Sequence, residues 1–261
     1  MPVKLFRASL AELEVEDEES FRHVGIYEDL KRHVSSLGPA FLVPAEGTWL
    51  GWDRALLLNL LFWEPGTADV LASRSIVADV VMHVAWHDLA NKNLPACVES
   101  HLLGESIASA FDLYLVGRLL GHSPESSFLE SQVGRMSEAA ADAGVDEDAF
   151  QALLTEVASQ PERAFEELRE LLFDASRALL SPRAPADGLL ALEAFEGHRY
   201  ACLMHHYELA SWVMRSRLES QGAPESATAT ALELDAALRR APDAVAHLER
   251  TWLSSAQAAA R

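Results

Sequence analysis

The sequence predicts an all-α protein, folded as a single bundle-like domain of about nine helices. Three observations predict it. Apolar residues recur at helical spacing along nearly the whole chain. Alternating strand patterns and Asn-Gly hairpin signals are absent. Prolines, several of them beside Gly, fall between the periodic stretches or at their starts, where they punctuate helices rather than interrupt them. With 261 residues, 49% of them hydrophobic, one core can serve the whole of 1–261.

Each element follows from that pattern. Phe21, Val24, Ile26, Tyr27, Leu30 and Val34 set a helix over 18–36, stopped by Gly38-Pro39. Residues 40–50 are the least regular stretch and suit a short extended segment or small hairpin. A second helix is expected at 51–62, broken by Glu64-Pro65-Gly66. Thr67 then caps a long helix over 68–91, with Asp69 in its first turn. Pro95 suits the start of the next helix, 95–120. Helices follow at 125–142, 146–158 and 161–181. SPRAPADG (181–188) reads as an internal loop or weak linker. A long helix over 189–219 and two more, parted by Pro242, close the chain.

The charge balance narrows the function. Forty acids against 21 bases give a net charge of -19. Phosphate backbones are held by clustered Lys and Arg, so a nucleic-acid partner is excluded as an expectation, and so is an anionic membrane surface. The longest apolar runs, such as ALLLNLLFW (55–63), are too short to span a bilayer. Two distant cysteines, Cys97 and Cys202, make no disulfide framework. A cytoplasmic protein is expected. The scarcity of lysine, only Lys4, Lys31 and Lys92, and the abundant alanine point to a GC-rich bacterial genome.

The ten histidines are unevenly placed, and two of them carry the chemistry. His83 and His87 stand four apart in ADVVMHVAWHDLANKN, so both imidazoles share a helix face and can reach one ion. The next helix brings His101, Glu105 and Asp112 at i, i+4 and i+11, near one stripe. The intervening turn is short, so the helices run antiparallel and Glu105 can face the pair. Two His and one carboxylate leave an open position, the arrangement of a catalytic metal site. The alternative keeps the histidines in a polar core seam, hydrogen-bonded to Glu105 or Asp112.

HVAWH followed by ESIASAFDLY resembles the active-site helix pair of gluzincin metallopeptidases, over residues 78–119 only. That family's aminopeptidase-type pattern is HExxH…NEGFAxxxE. The resemblance implies His83, His87 and Glu105 as zinc ligands, with Asp112 where the family often has a further acid. Asn91 resembles an asparagine found soon after the second histidine. The gap of 17 residues between His87 and Glu105 is one short of the usual spacing. The decisive departure is Val84, where the family needs glutamate as general base for the metal-bound water. Asp88 lies on a different helix face and is a poor substitute.

A second cluster lies in EAFEGHRYACLMHHYELASWVMRSR. On the expected long helix His198, Cys202 and His205 share a face, with His206, Tyr207 and Glu208 beside it and Glu193 and Glu196 upstream. A non-haem iron bundle would use such a helix, though the expected Glu-x-x-His pair is missing. Trp49, Trp52, Phe62, Trp63 and Trp86 read first as core anchors. Trp86, His198, His205 and Tyr207 are the candidate substrate contacts. His101 and Asp112 are expected to orient the ligands from outside the metal's own sphere. PERAFEELRELLFDASR reads as a solvated face, and His23, His33, His122 and His247 as ordinary surface residues.

The reading is a metal-binding helical protein, zinc or iron, whose partner is a peptide or small-molecule ligand. It is either a repurposed metalloenzyme that is not a conventional peptidase, a non-catalytic pseudo-peptidase, or an iron oxygenase-like bundle.

Overall fold

The computed structural model describes residues 4–45, 69–71, 73–220 and 224–253. The expected helix at 51–62, the Thr67 cap, and Trp49, Trp52, Phe62 and Trp63 lie outside the described residues. What is described is predominantly helical, with two small sheets.

The sheets are a departure from the sequence reading. β1 (Leu5–Ser9) pairs antiparallel with β3 (Ala40–Pro44), Leu5 opposite Pro44 and Ser9 opposite Ala40. β4 (Asp69–Val70) extends the same sheet in parallel. β2 (Glu14–Glu16) pairs in parallel with β5 (Ser75–Val77). Asp69 is therefore strand, not a helix start, and the helix expected over 68–91 begins only at Ala78. The reason is β5: Ser75, Ile76 and Val77 are held by β2, and Val77 keeps an extended backbone as N-cap residue.

Between these strands lie the short α1 (Glu18–Phe21) and α2 (Tyr27–Leu37), where one helix was expected. Gly38 ends α2 in the left-handed conformation, φ 64°, which glycine adopts without steric cost.

α3 (Ala78–Asn93) leads through a short turn into α4 (Val98–Leu120). Pro95 stands before α4 rather than inside it, and Cys97 caps it by accepting from the Ser100 N–H at 3.4 Å. α4 is apolar on almost every side, the pattern of a helix buried all round. It packs against α3, against α5 (Ser127–Asp142), α6 (Glu147–Ser159) and α7 (Pro161–Ala178), and against two later helices. Two glycines allow the close approaches. A Cβ on Gly117 would lie 2.6 Å from the Val157 carbonyl oxygen, and one on Gly104 would lie 3.1 Å from the Ala90 Cβ.

The expected long helix over 189–219 is broken. α8 (Pro185–Glu193) starts inside the expected loop 181–188, with proline in its first turn. Residues 195–204 then run through successive i→i−3 turns, including a 3-10 turn at Ala201–Leu203. α9 (His206–Glu219) follows. Tyr200 is fully buried in this connection. α10 (Glu225–Arg240), α11 (Ala244–Leu248) and a π-helical turn (Glu249–Leu253) complete the described chain.

α7 corrects another expectation. Its charged residues are not simply a solvated face. Arg169 is fully buried and bonds Glu166 at 2.7 Å and Asp235 of α10 at 2.7 Å. No described helix is long and apolar enough to cross a membrane.

Candidate metal centre

Val77 and the β2–β5 pair fix where α3 begins, and Gly104 lets α4 approach it closely at Ala90. On α3, His83 and His87 are one turn apart. Their ring centroids lie 4.8 Å apart and their Nε2 atoms 3.1 Å apart. On α4, Glu105 faces them, its Oε2 3.4 Å from His87 Nε2. One ligand atom from each of the three residues lies within 4.8 Å of the others.

Those distances suit a shared ion. Two ligands each about 2.0–2.1 Å from a tetrahedral ion stand roughly 3.3–3.4 Å apart. The 3.1 and 3.4 Å separations are close to that edge length. His87 is buried, while His83 and Glu105 are partly buried. Loss of water holds His83 down to about 4. It also holds His87 well below its ordinary range, with further lowering from His83, Arg215 and His101. Both imidazoles are therefore neutral near pH 7, the form that ligates a metal.

A cavity of about 250 Å³ opens beside the triad. His87, Asn91, His101 and Glu105 line it from α3 and α4, and Trp212 and Arg215 from α9. Arg215 Nη1 lies 3.8 Å from Glu105 Oε1. Glu105 thus stands between His87 on one oxygen and Arg215 on the other. Sequence reasoning missed Arg215 and Trp212. Their signal was partial: Trp212, Arg215 and Ser216 fall at i, i+3 and i+4 on α9, but nothing local in the sequence ties that face to Glu105, more than a hundred residues earlier.

The remaining candidates are placed as follows. His101 lines the cavity one turn before Glu105. Asp112 stands two turns beyond Glu105. Burial pushes it well above the usual carboxylate range, and the charges of Asp79 and Glu208 push it further. Asp79, in the first turn of α3, has an oxygen buried without a hydrogen bond, and burial raises its carboxyl too. Trp86 is fully buried in the core against Phe111 (5.2 Å) and Trp252 (6.4 Å). His198, Cys202 and His205 do not share a helix face, because the i→i−3 turns break the helix that would have aligned them. His198 instead accepts from the Tyr200 N–H at 3.2 Å. His205 is exposed as the N-cap of α9, and Tyr207 is 84% exposed.

Two further residues bear on chemistry. Val84 is only 4% exposed and belongs to the apolar core. Asp88 is bonded away from the triad, to His33 Nε2 at 2.7 Å and Lys92 Nζ at 2.8 Å. His33 is therefore a buried partner rather than a surface residue. Compared with protein families, with curated proteins and with solved structures, the chain matches none.

Proposed function

We propose that this protein binds one transition-metal ion, zinc or ferrous iron, through His83, His87 and Glu105, and presents it to a small ligand in the adjoining cavity. The observation that carries this reading is the convergence of two imidazole nitrogens and one carboxylate within 4.8 Å of one another, with His87 at 3.1 Å from His83 and 3.4 Å from Glu105, near the tetrahedral edge. Two histidines and one carboxylate suit zinc with an open position and equally the facial triad of non-haem iron. His101 and Asn91 line the cavity beside the triad, where hydrogen bonds from outside the ligand set would orient what binds.

The gluzincin resemblance extends to the ligand set and stops at the base. Peptide hydrolysis by that route needs a carboxylate to take the proton of the metal-bound water. Val84 has no proton to exchange, and Asp88 is held by His33 and Lys92. The ion's role is to bind and polarise a ligand, in a protein repurposed from peptide hydrolysis or never engaged in it.

Isothermal titration of the metal-free protein with zinc tests the reading. One tight site, lost in Glu105→Gln and His87→Ala, is expected. Unchanged binding in both variants contradicts it.

A further inference from the structure

We propose that the cavity beside the triad is a subsite for a small carboxylate, with Arg215 gripping the carboxylate and the metal ion taking the ligand's other end. The inference rests on the metal reading and names the ligand class of that same site.

The chain as a whole carries -19, yet the charged groups on this cavity are Glu105 and Arg215. With a divalent ion in the triad, one carboxylate faces the ion and one guanidinium, so the pocket is locally positive. A cavity of low polarisability between helices strengthens that preference, because charges there are poorly screened.

Geometry adds direction. Arg215 and the triad share Glu105, whose two oxygens face Arg215 at 3.8 Å and His87 at 3.4 Å. The ion and the guanidinium are thus separated by about one carboxyl group, a span that a short dicarboxylate or oxo-acid bridges. A guanidinium fork matches a carboxylate with two parallel N–H donors, which a lysine ammonium does not. Ser100, Ser216 and Asn91 supply hydroxyl and amide groups on the wall, and Trp212 supplies an apolar face for the ligand's carbon chain. The volume, about 250 Å³, sits below the usual range for drug-sized ligands and excludes a folded peptide.

The test uses succinate and its uncharged isostere succinamide on the full chain, first loaded with zinc and dialysed free of excess metal. Zinc content is measured before either probe is added. Wild-type protein with zinc is expected to bind succinate at least tenfold more tightly than succinamide. Arg215→Gln should reduce that preference several-fold with zinc content unchanged, the remainder being the ion's own preference for a carboxylate, and Arg215→Lys should retain more of it. Zinc uptake with equal binding of both probes overturns the subsite and leaves the metal site standing. A preference undiminished in Arg215→Gln overturns Arg215 as a carboxylate partner. No zinc uptake by the wild type overturns the metal reading itself. The wild-type comparison decides without any variant, so a variant that folds poorly leaves the proposal falsifiable.

Discussion

Asp88 Oδ2 lies 2.7 Å from His33 Nε2, joining α3 to α2 one residue after the second histidine of the triad. Lys92 closes on the same oxygen at 2.8 Å. The acid next in sequence to the His83–His87 pair is thereby committed to helix packing. These contacts keep the Asp88 carboxyl below its usual range: burial raises it, and the His33 and Lys92 bonds more than offset that.

The first prediction follows from that pairing. Zinc-loaded protein should not hydrolyse aminopeptidase or endopeptidase substrates measurably above the zinc-free protein. General acid–base catalysis supplies about 10²–10⁴-fold, and here Val84 has no proton to exchange and Asp88 is bonded to His33 and Lys92. Hydrolysis that is robust and abolished by a chelator would show that Asp88 leaves His33 to act as base.

Val84 sharpens the point. A glutamate there restores the family pattern on paper, but the position is in the apolar core. Val84→Glu is expected to lower stability by more than about 2 kcal/mol, the scale of burying an unpaired polar group, without creating a peptidase. Urea denaturation measures the first part and a peptide assay the second. A stable variant with new peptidase activity would place residue 84 at the metal-bound water.

Asp112 gives a pH signature. Its folded pKa is raised, so between about 4 and that value the folded chain holds a proton the unfolded chain has lost. Stability from this group is present below pH 4 and is lost as pH rises. Asp112→Asn keeps the shape without the charge. It should be more stable than the wild type at pH 7, with the gain shrinking towards zero near pH 3.5, as read by thermal melts across that range. A variant less stable at pH 7 would show that the Asp112 carboxylate has a favourable partner when ionised.

Gly117 tests the packing that carries Glu105. An added Cβ meets the Val157 carbonyl oxygen at 2.6 Å and the Pro161 Cβ at 2.8 Å. Overpacking costs about 1–3 kcal/mol, and the roughly 1 kcal/mol gain in helix propensity offsets only part of it. Gly117→Ala should therefore lower the urea midpoint. A midpoint at or above that of the wild type would show that α4 and α6 can separate at little cost.

The triad was legible because it depends on local rules. His83 and His87 share a face by helix geometry alone, and a four-residue turn brings Glu105 back against them. Among the strands only β3, inside the expected extended stretch 40–50, was legible; the others were not, for the opposite reason. β5 has three residues, and it is held by β2, some sixty positions earlier, so no local alternation announces it. His33 was misjudged because its partner, Asp88, is distant in sequence. The segment 195–204 keeps apolar residues at near-helical intervals, yet its bonds close at i→i−3. Three residues per turn in place of 3.6 rotates His198, Cys202 and His205 off one face. Arg215 was missed because its partner Glu105, like that of His33, is distant in sequence.

Three side chains from two helices, His83, His87 and Glu105, are proposed to hold one ion. Elemental analysis tests it most directly, on protein dialysed against zinc or ferrous iron and then against metal-free buffer, with the His83→Ala/His87→Ala double variant beside it. The account predicts about one ion per chain in the wild type and essentially none in the variant, with helical circular dichroism alike in both. No bound metal in the wild type, or equal metal in the two proteins, would contradict it and return His83, His87 and Glu105 to a hydrogen-bonded polar seam between α3 and α4.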